Sequence, residues 1–396
     1  MKRAAAPGTP RAAAGAHRRV SLLLFAAGWG ANHFSSLLIV YRKSLGFSPA
    51  SVALLFGAYA IGLVPGLLFA GHASDRLGRR AIVLPAGVAA IVGSGLLMLG
   101  GQGFGVLFAG RLVYGLAMGA IMSPGSVWVQ ELSEPGVGPR RATLALSAGF
   151  GVGPLATGVL AEFAPAPMVL PFVAHVLVMA ASLAGVHAVP ETAALALARP
   201  PREAPEKRAR AGIGRRELAV LAGLLPAAPW AFGFAAASLA VLPGIMRSHV
   251  SRPILYSAFV ILLTLLAGVL VQPLTARLRR RGNVVGLALG SLGLLVGACS
   301  VAVASPALVF AAAILTGVGY GLVMTTGLRE VAERATDETR GTAVGIYYVL
   351  TYIGFALPFV HAKAATALGD VATLELTAAA AAGCLVLRGV VESVRG

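Results

Sequence analysis

Twelve uninterrupted apolar stretches, each close to 20 residues long, govern what this chain can fold into. They run at 20–41, 50–71, 81–101, 104–126, 142–163, 168–189, 218–243, 254–275, 283–304, 306–328, 342–361 and 371–391. A bilayer core about 30 Å thick is crossed by roughly 20 apolar residues in a helix. Continuous rather than alternating apolarity selects helices over barrel strands. Only 12% of residues are charged, about half the usual share of a soluble domain, so a soluble multidomain reading fails. Lys and Arg outnumber Asp and Glu by 32 to 15, yet the basic residues sit between apolar runs instead of along one polar face, which excludes nucleic-acid binding. Cys299 and Cys384 each lie inside an apolar run and form no disulfide framework.

Sorting the basic residues orients the chain. With a cytoplasmic N-terminus, 26 Lys and Arg fall on the cytoplasmic side, among them Arg388 in the C-terminal tail. Arg42, Lys43, Arg247, Arg252 and Lys363 fall outside, and Arg111 lies within a span. That bias follows the positive-inside rule and predicts a multi-pass protein of the cytoplasmic membrane with both termini inside. Residues 1–19 lack an apolar core, and Val20 to Tyr41 is long enough to span, so a first helix is expected rather than a signal peptide. A transit peptide, suggested by the Arg/Ala bias, is the lesser reading.

The Pro-rich, charged stretch 191–216 reads as a cytoplasmic linker. The organisation is then a tail (1–19), a six-helix bundle (20–190), the linker, a second bundle (217–391) and a short tail (392–396). The halves repeat weakly. Leu107 to Gly119 aligns with Val309 to Gly321 at one offset, keeping two glycines, and Val129-Gln-Glu131 aligns with Val331-Ala-Glu333. Repeated halves around a midplane site mark secondary transporters.

Immediately after the second run stands Gly71-His-Ala-Ser-Asp75-Arg76-Leu-Gly78-Arg79-Arg80. It resembles the signature loop of the major facilitator superfamily, G-x-L-[AS]-D-[RK]-x-G-[RK]-[RK], with Ala73 in the usual Leu position. The resemblance covers nearly the whole chain. It implies an all-α membrane fold of twelve helices in two pseudo-symmetric bundles, close to the bacterial drug and metabolite efflux branch. It also implies a conformational latch of Gly71, Asp75, Arg76, Gly78, Arg79 and Arg80, with Asp75 set against helix 11 near Gly341. The second half carries Ala276 and Gln272 at the Asp and first-Gly places, so the latch is expected to be one-sided. Arg111, Tyr114, Gly115 and Gly119 are similar to the family motif R-x-x-[QY]-G. Gly149, Gly153, Pro154 and Gly158, with Thr157 in place of a glycine, are similar to the helix-5 motif associated with antiport, and imply a bend there. Pro190-Glu191-Thr192 resembles the end of helix 6 in several branches and equally suits a simple helix stop.

The family's cavity is lined mainly by helices 1, 4, 7 and 10. The resemblance therefore makes Asn32, His33, Arg111, Tyr114, Trp230, Tyr320, Tyr347, Tyr348 and Tyr352 cavity candidates, with Arg111, Tyr114, Gly115, Gly119 and His33 assigned to transport and coupling. A histidine exchanges protons near neutrality, and an arginine inside a span needs a cavity or a partner. His175 is expected to be peripheral. No Asp or Glu occupies the central third of any run, which argues against multidrug-cation export. The expectation is a monomeric secondary transporter, proton-coupled, exporting a neutral or anionic amphipathic small molecule. Uptake symport, uniport and a non-transporting receptor of the same fold are alternatives. Neither a cofactor nor a metal is expected, and no cluster of residues suggests an enzyme.

Overall fold

The computed structural model describes residues 15–134, 136–192, 214–336 and 339–395. The N-terminal tail up to residue 14 and linker residues 193–213 lie outside this set. Among the described residues every regular element is helical, as the apolar runs require when lipid offers backbone groups no partner.

Twelve helical segments follow one another. The first, α1, is a pair bent by 42°, Ala16–Ser36 and Leu38–Leu45. Next come α2 (Pro49–Leu77), α3 (Arg79–Met98), α4 (Phe104–Glu131), α5 (Gly138–Phe163) and α6 (Leu170–Val186). The second half has α7 (Glu217–His249), α8 (Pro253–Leu278), α9 (Gly282–Ala302), α10 (Pro306–Arg334), α11 (Thr342–Leu368) and α12 (Asp370–Val390). Among the described residues ten of these helices, eleven with the bent pair, are long and apolar enough to cross a membrane; α6, at 17 residues, is shorter, about 25 Å long. The face at which α1 begins and α12 ends is here called the terminal face.

The helices overrun the apolar stretches. Ala16 starts α1 ahead of the expected Val20, and α4 continues to Glu131. Two residues counted as loop or tail are thereby moved. Arg79 opens α3 at 7% exposure, and Arg388 sits inside α12 at 1% exposure. Both are held by carboxylates, which is what lets a guanidinium enter a bundle.

Glycine brings the helices together, and does so twice in the same way. A Cβ on Gly62 or Gly66 of α2 would overlap the carbonyls of Leu112 or Leu116 in α4. Reciprocally, one on Gly115 or Gly119 would overlap those of Tyr59 or Leu63. In the second half, Gly317 and Gly321 of α10 stand equally close to the carbonyls of Thr264 and Gly268 in α8. Small residues permit this backbone approach where lipid provides no hydrophobic drive. The sequence repeat is thus a packing repeat.

Proline shapes the second bundle. Pro243 and Pro358 offer no backbone N–H to the preceding turn. The helix opens into a π turn at Ala237–Val241 before the first and tightens to a 3-10 turn at Ile353–Ala356 before the second. At that second turn Gly354 crosses close to the Pro229 carbonyl of α7.

Candidate functional site

Between the bundles lies a cavity of about 340 Å³. Its first-half wall holds Asn32, Phe56, Tyr59, Thr143 and Ser147, and its second-half wall Phe232, Gln272, Tyr320, Thr325, Tyr348 and Tyr352. Thr143, Gln272, Thr325 and Tyr348 belong to the parts of α5, α8, α10 and α11 near the terminal face. The cavity therefore runs from mid-height toward that face.

Aromatic rings form its main wall. Phe232 stacks on Tyr352 at 4.6 Å and on Tyr320 at 5.8 Å, and Tyr348 stacks on Tyr352 at 6.4 Å. Phe355 closes the mid-height end by stacking across the bundle interface on Phe56 at 5.1 Å. Among the described residues the hydroxyls of Tyr59, Tyr320, Tyr348 and Tyr352 have no protein hydrogen-bond partner, and none is sealed from the cavity. Among the described residues the wall carries no Asp, Glu, Lys or Arg. Such a surface offers ring faces, four phenols, amides and hydroxyls: recognition by stacking and neutral hydrogen bonds.

Of the sequence candidates, the structure brings Asn32, Tyr320, Tyr348 and Tyr352 together in this cavity. It places the others behind it. Trp230 packs on Phe234 at 5.3 Å within α7, and Tyr347 donates its hydroxyl to the Val323 carbonyl at 2.8 Å. Arg111 is 1% exposed. Its Nε and Nη2 donate to the carbonyls of Leu55 and Phe56, each at 3.1 Å. Its guanidinium lies between the rings of Phe34 and Tyr59 at 4.6 and 4.7 Å, a cation–π sandwich that offsets burial of the charge. Tyr59 thus shows one face to Arg111 and lines the cavity as well.

His33 is fully buried, stacked on His175 at 5.1 Å, with neither ring nitrogen hydrogen-bonded. The expectation that His175 is peripheral is corrected: it is 0% exposed at the centre of the first bundle. Its Nε2 donates to the Ala26 carbonyl at 3.1 Å, beside the Tyr114 hydroxyl, and Nδ1 accepts from Ser94 at 2.9 Å. Tyr114 in turn donates to the Ala27 carbonyl at 3.0 Å. The glycine at position 30 makes room for this cluster, since a Cβ there would overlap the Tyr114 hydroxyl.

Near the terminal face, Arg79 bonds Asp75, Ser74 (2.8 Å) and Glu131 (3.0 Å). Gly78 supplies the positive φ of 100° for the turn, a conformation that favours glycine. Glu191 caps α3, its carboxylate accepting from the backbone N–H groups of Arg79 and Arg80 at 3.0 and 2.9 Å. A negative charge at a helix N-terminus is favourable. Thr192 bonds Glu131. Pro190-Glu191-Thr192 is therefore a cap and tether as well as a stop. Arg80 donates to His187 at 3.1 Å, whereas Arg76 is exposed. The start of α11 near Gly341, the expected partner of Asp75, lies outside the described side chains.

At the opposite face the bundles are joined. Glu162 of α5 accepts from the backbone N–H of Leu255, in the first turn of α8, at 3.2 Å. Arg252 lies over the Phe163 ring at 4.7 Å. Below this seam the helix-5 motif packs tightly on both sides. Gly149 and Gly153 abut the carbonyls of Phe25 and Trp29 in α1, Gly158 abuts Ala258 of α8, and the Pro154 carbonyl accepts from Ser36 at 3.0 Å. Among the described residues no group of three or more His, Cys, Asp or Glu is placed to hold a metal.

Tyr59, Phe232, Gln272, Thr325 and the Glu162 seam escaped sequence reasoning. An uncharged polar residue inside an apolar run, as Gln272 and Thr325 are, was the available signal. Glu162 carried none, because its partner is a backbone N–H.

Comparison with known proteins adds the following. A family model described as Major Facilitator Superfamily matches residues 20–358. The glucose transporter GlcP of Staphylococcus epidermidis is 27% identical over 106 residues, 27% of this chain and 24% of that protein; the match spans about a quarter of the relative's length. A crystal structure of the peptide transporter POT in complex with sulfate superposes with a TM-score of 0.76 at 14% identity, covering 96% of this chain and 94% of that one. The nucleoside transporter NupG superposes with a TM-score of 0.72 at 13% identity, covering 97% and 99%.

Proposed function

The chain belongs to the major facilitator superfamily, and from that premise we propose that this membrane transporter exports a small neutral or anionic amphipathic molecule, driven by protons. Its two bundles alternate in opening the central cavity to either side of the cytoplasmic membrane. The observation that carries the substrate class is the cavity wall: aromatic rings and free phenols with no formal charge. A charged molecule of either sign would enter such a wall without a counter-charge, which is costly in a low dielectric, so the wall supports the neutral member of this class most directly.

The basic residues put the terminal face on the cytoplasmic side, so the cavity faces the cytoplasm while Glu162 and Arg252 close the outer seam. Asp75, Arg76, Arg79 and Arg80, with Gly71 and Gly78 shaping the turn, form the latch that releases when the bundles rock. Arg111 and the His33–His175–Tyr114 cluster support the first bundle and carry the coupling role. The packing glycines of α5, around Pro154, let α1 and α8 slide against it.

A second reading, uptake of a neutral sugar-like solute, is favoured by one observation, the segment shared with a glucose transporter. Inside-out vesicles of purified protein separate the two. Acid in the lumen drives accumulation of a neutral aromatic amphipath on the export reading and has the opposite effect on proton-coupled uptake. Robust export of a quaternary-ammonium dye would overturn the assigned substrate class.

A further inference from the structure

A second cavity, of about 280 Å³, opens between the bundles at the face opposite the termini. Its body is apolar, with Leu38, Val52 and Pro358 among its lining, and its charge is gathered at one place. The Arg247 guanidinium donates to the Gly244 carbonyl at 2.7 Å. Arg42 lies against the same glycine, 3.7 Å from where its Cβ would stand. The one acid in the lining, Asp370, is engaged by Nε2 of His361 at 3.1 Å. His361 is 5% exposed, and its Nδ1 is buried without a hydrogen-bond partner.

Two features call for a ligand. Basic residues on this face oppose the charge bias that orients the helices, yet two of the five there converge on one cavity. Two guanidiniums gathered at one glycine repel each other, and an anion between them removes the repulsion while forming charge-assisted hydrogen bonds. The Nε2 hydrogen is given to Asp370, which leaves Nδ1 as the ring position open to a ligand hydroxyl.

We infer that this vestibule binds a small amphipathic hydroxy-carboxylate, the carboxylate on Arg42 and Arg247 and the hydroxyl on His361. The site is separate from the central cavity, and Phe355 stacked on Phe56 lies between the two.

Equilibrium binding of radiolabelled mandelate to the full-length protein in nanodiscs tests this, with phenylacetate and mandelamide as competitors. Mandelate binds saturably, phenylacetate competes more weakly and mandelamide does not compete. Arg42→Gln and Arg247→Gln each weaken binding by about tenfold or more, and His361→Phe abolishes the preference for mandelate over phenylacetate. Lys363→Gln removes an exposed charge of the same face that does not line the vestibule and leaves affinity unchanged. Should Arg42→Gln fail to fold, Arg247→Gln, at an exposed position, carries the same test. Absence of saturable binding overturns the inference. So does unchanged affinity in the folded Arg variants, or loss of binding in Gln272→Leu of the central cavity instead. Equilibrium binding needs no flux, so a failed transport assay leaves the result standing.

Discussion

The two bundles bury an arginine–carboxylate pair at the same corner and treat it differently. In the first, Arg79 at the start of α3 meets Glu131 at the end of α4, and its other partner, Asp75, has a side chain 65% exposed. In the second, Asn283 at the start of α9 donates to Glu330 near the end of α10 at 2.9 Å. Glu330 is also bonded by Arg388 of α12, which in addition donates to the Gly223 carbonyl at 2.8 Å. The side chains of Glu330 and Arg388 are 2% and 1% exposed. A pair at the water's edge exchanges partners at little cost. One sealed inside a bundle does not, because each charge has already lost its water. The first corner is built to switch and the second to brace.

Removing the brace gives the largest effect. Arg388→Met takes from buried Glu330 its most deeply buried cation, leaving Asn283 and the looser ion pair with Arg334 at 3.6 Å, and lowers stability by about 3 kcal/mol, read as loss of folded protein in thermal unfolding. Adding Glu330→Leu recovers most of that loss. If the single variant is as stable as the parent, the corners do not differ as described.

The packing repeat comes next. Gly119→Val and Gly321→Val drive a side chain into the carbonyls of Leu63 and Gly268 respectively, and each destabilises by about 1–3 kcal/mol. Equal losses support equivalence of the bundles in their packing, while a loss in only one bundle breaks it.

The smallest change in stability comes from the exposed corner. Asp75→Asn alters unfolding by less than about 1 kcal/mol, yet it slows turnover in the vesicle assay with substrate binding retained. Arg111→Ala empties a buried place behind the cavity wall and impairs transport through lost support of α2 at Leu55 and Phe56. Wild-type flux in that variant would remove Arg111 from the mechanism.

Much of the fold was legible because lipid imposes a length and a composition that a sequence displays directly. The apolar runs and the glycine repeat at Gly115 and Gly317 are local patterns. The site was legible only in part. Arg111 and His33 are polar residues in apolar surroundings, which marks them as unusual without telling a cavity wall from a bundle interior; the partners of Arg111 are backbone carbonyls and rings. His175 reads as peripheral because α6 is an outer helix, and only the small residues Ala26, Ala27 and the glycine at position 30 let it reach the centre. Arg388 and Glu330 stand 58 residues apart, and their pairing is fixed by how α10 and α12 pack.

Two spin-label distances measured on one sample show whether the bundles rock about the cavity. After replacement of Cys299 and Cys384, one pair spans the terminal ends of α5 and α8 at Leu144 and Ala276, and the other spans the opposite face at Pro165 and Ser251. Rocking gives two populations in which one distance shortens as the other lengthens, shifted by substrate or by pH. A single fixed distance at both faces, or lengthening at both together as in a pore, would contradict it.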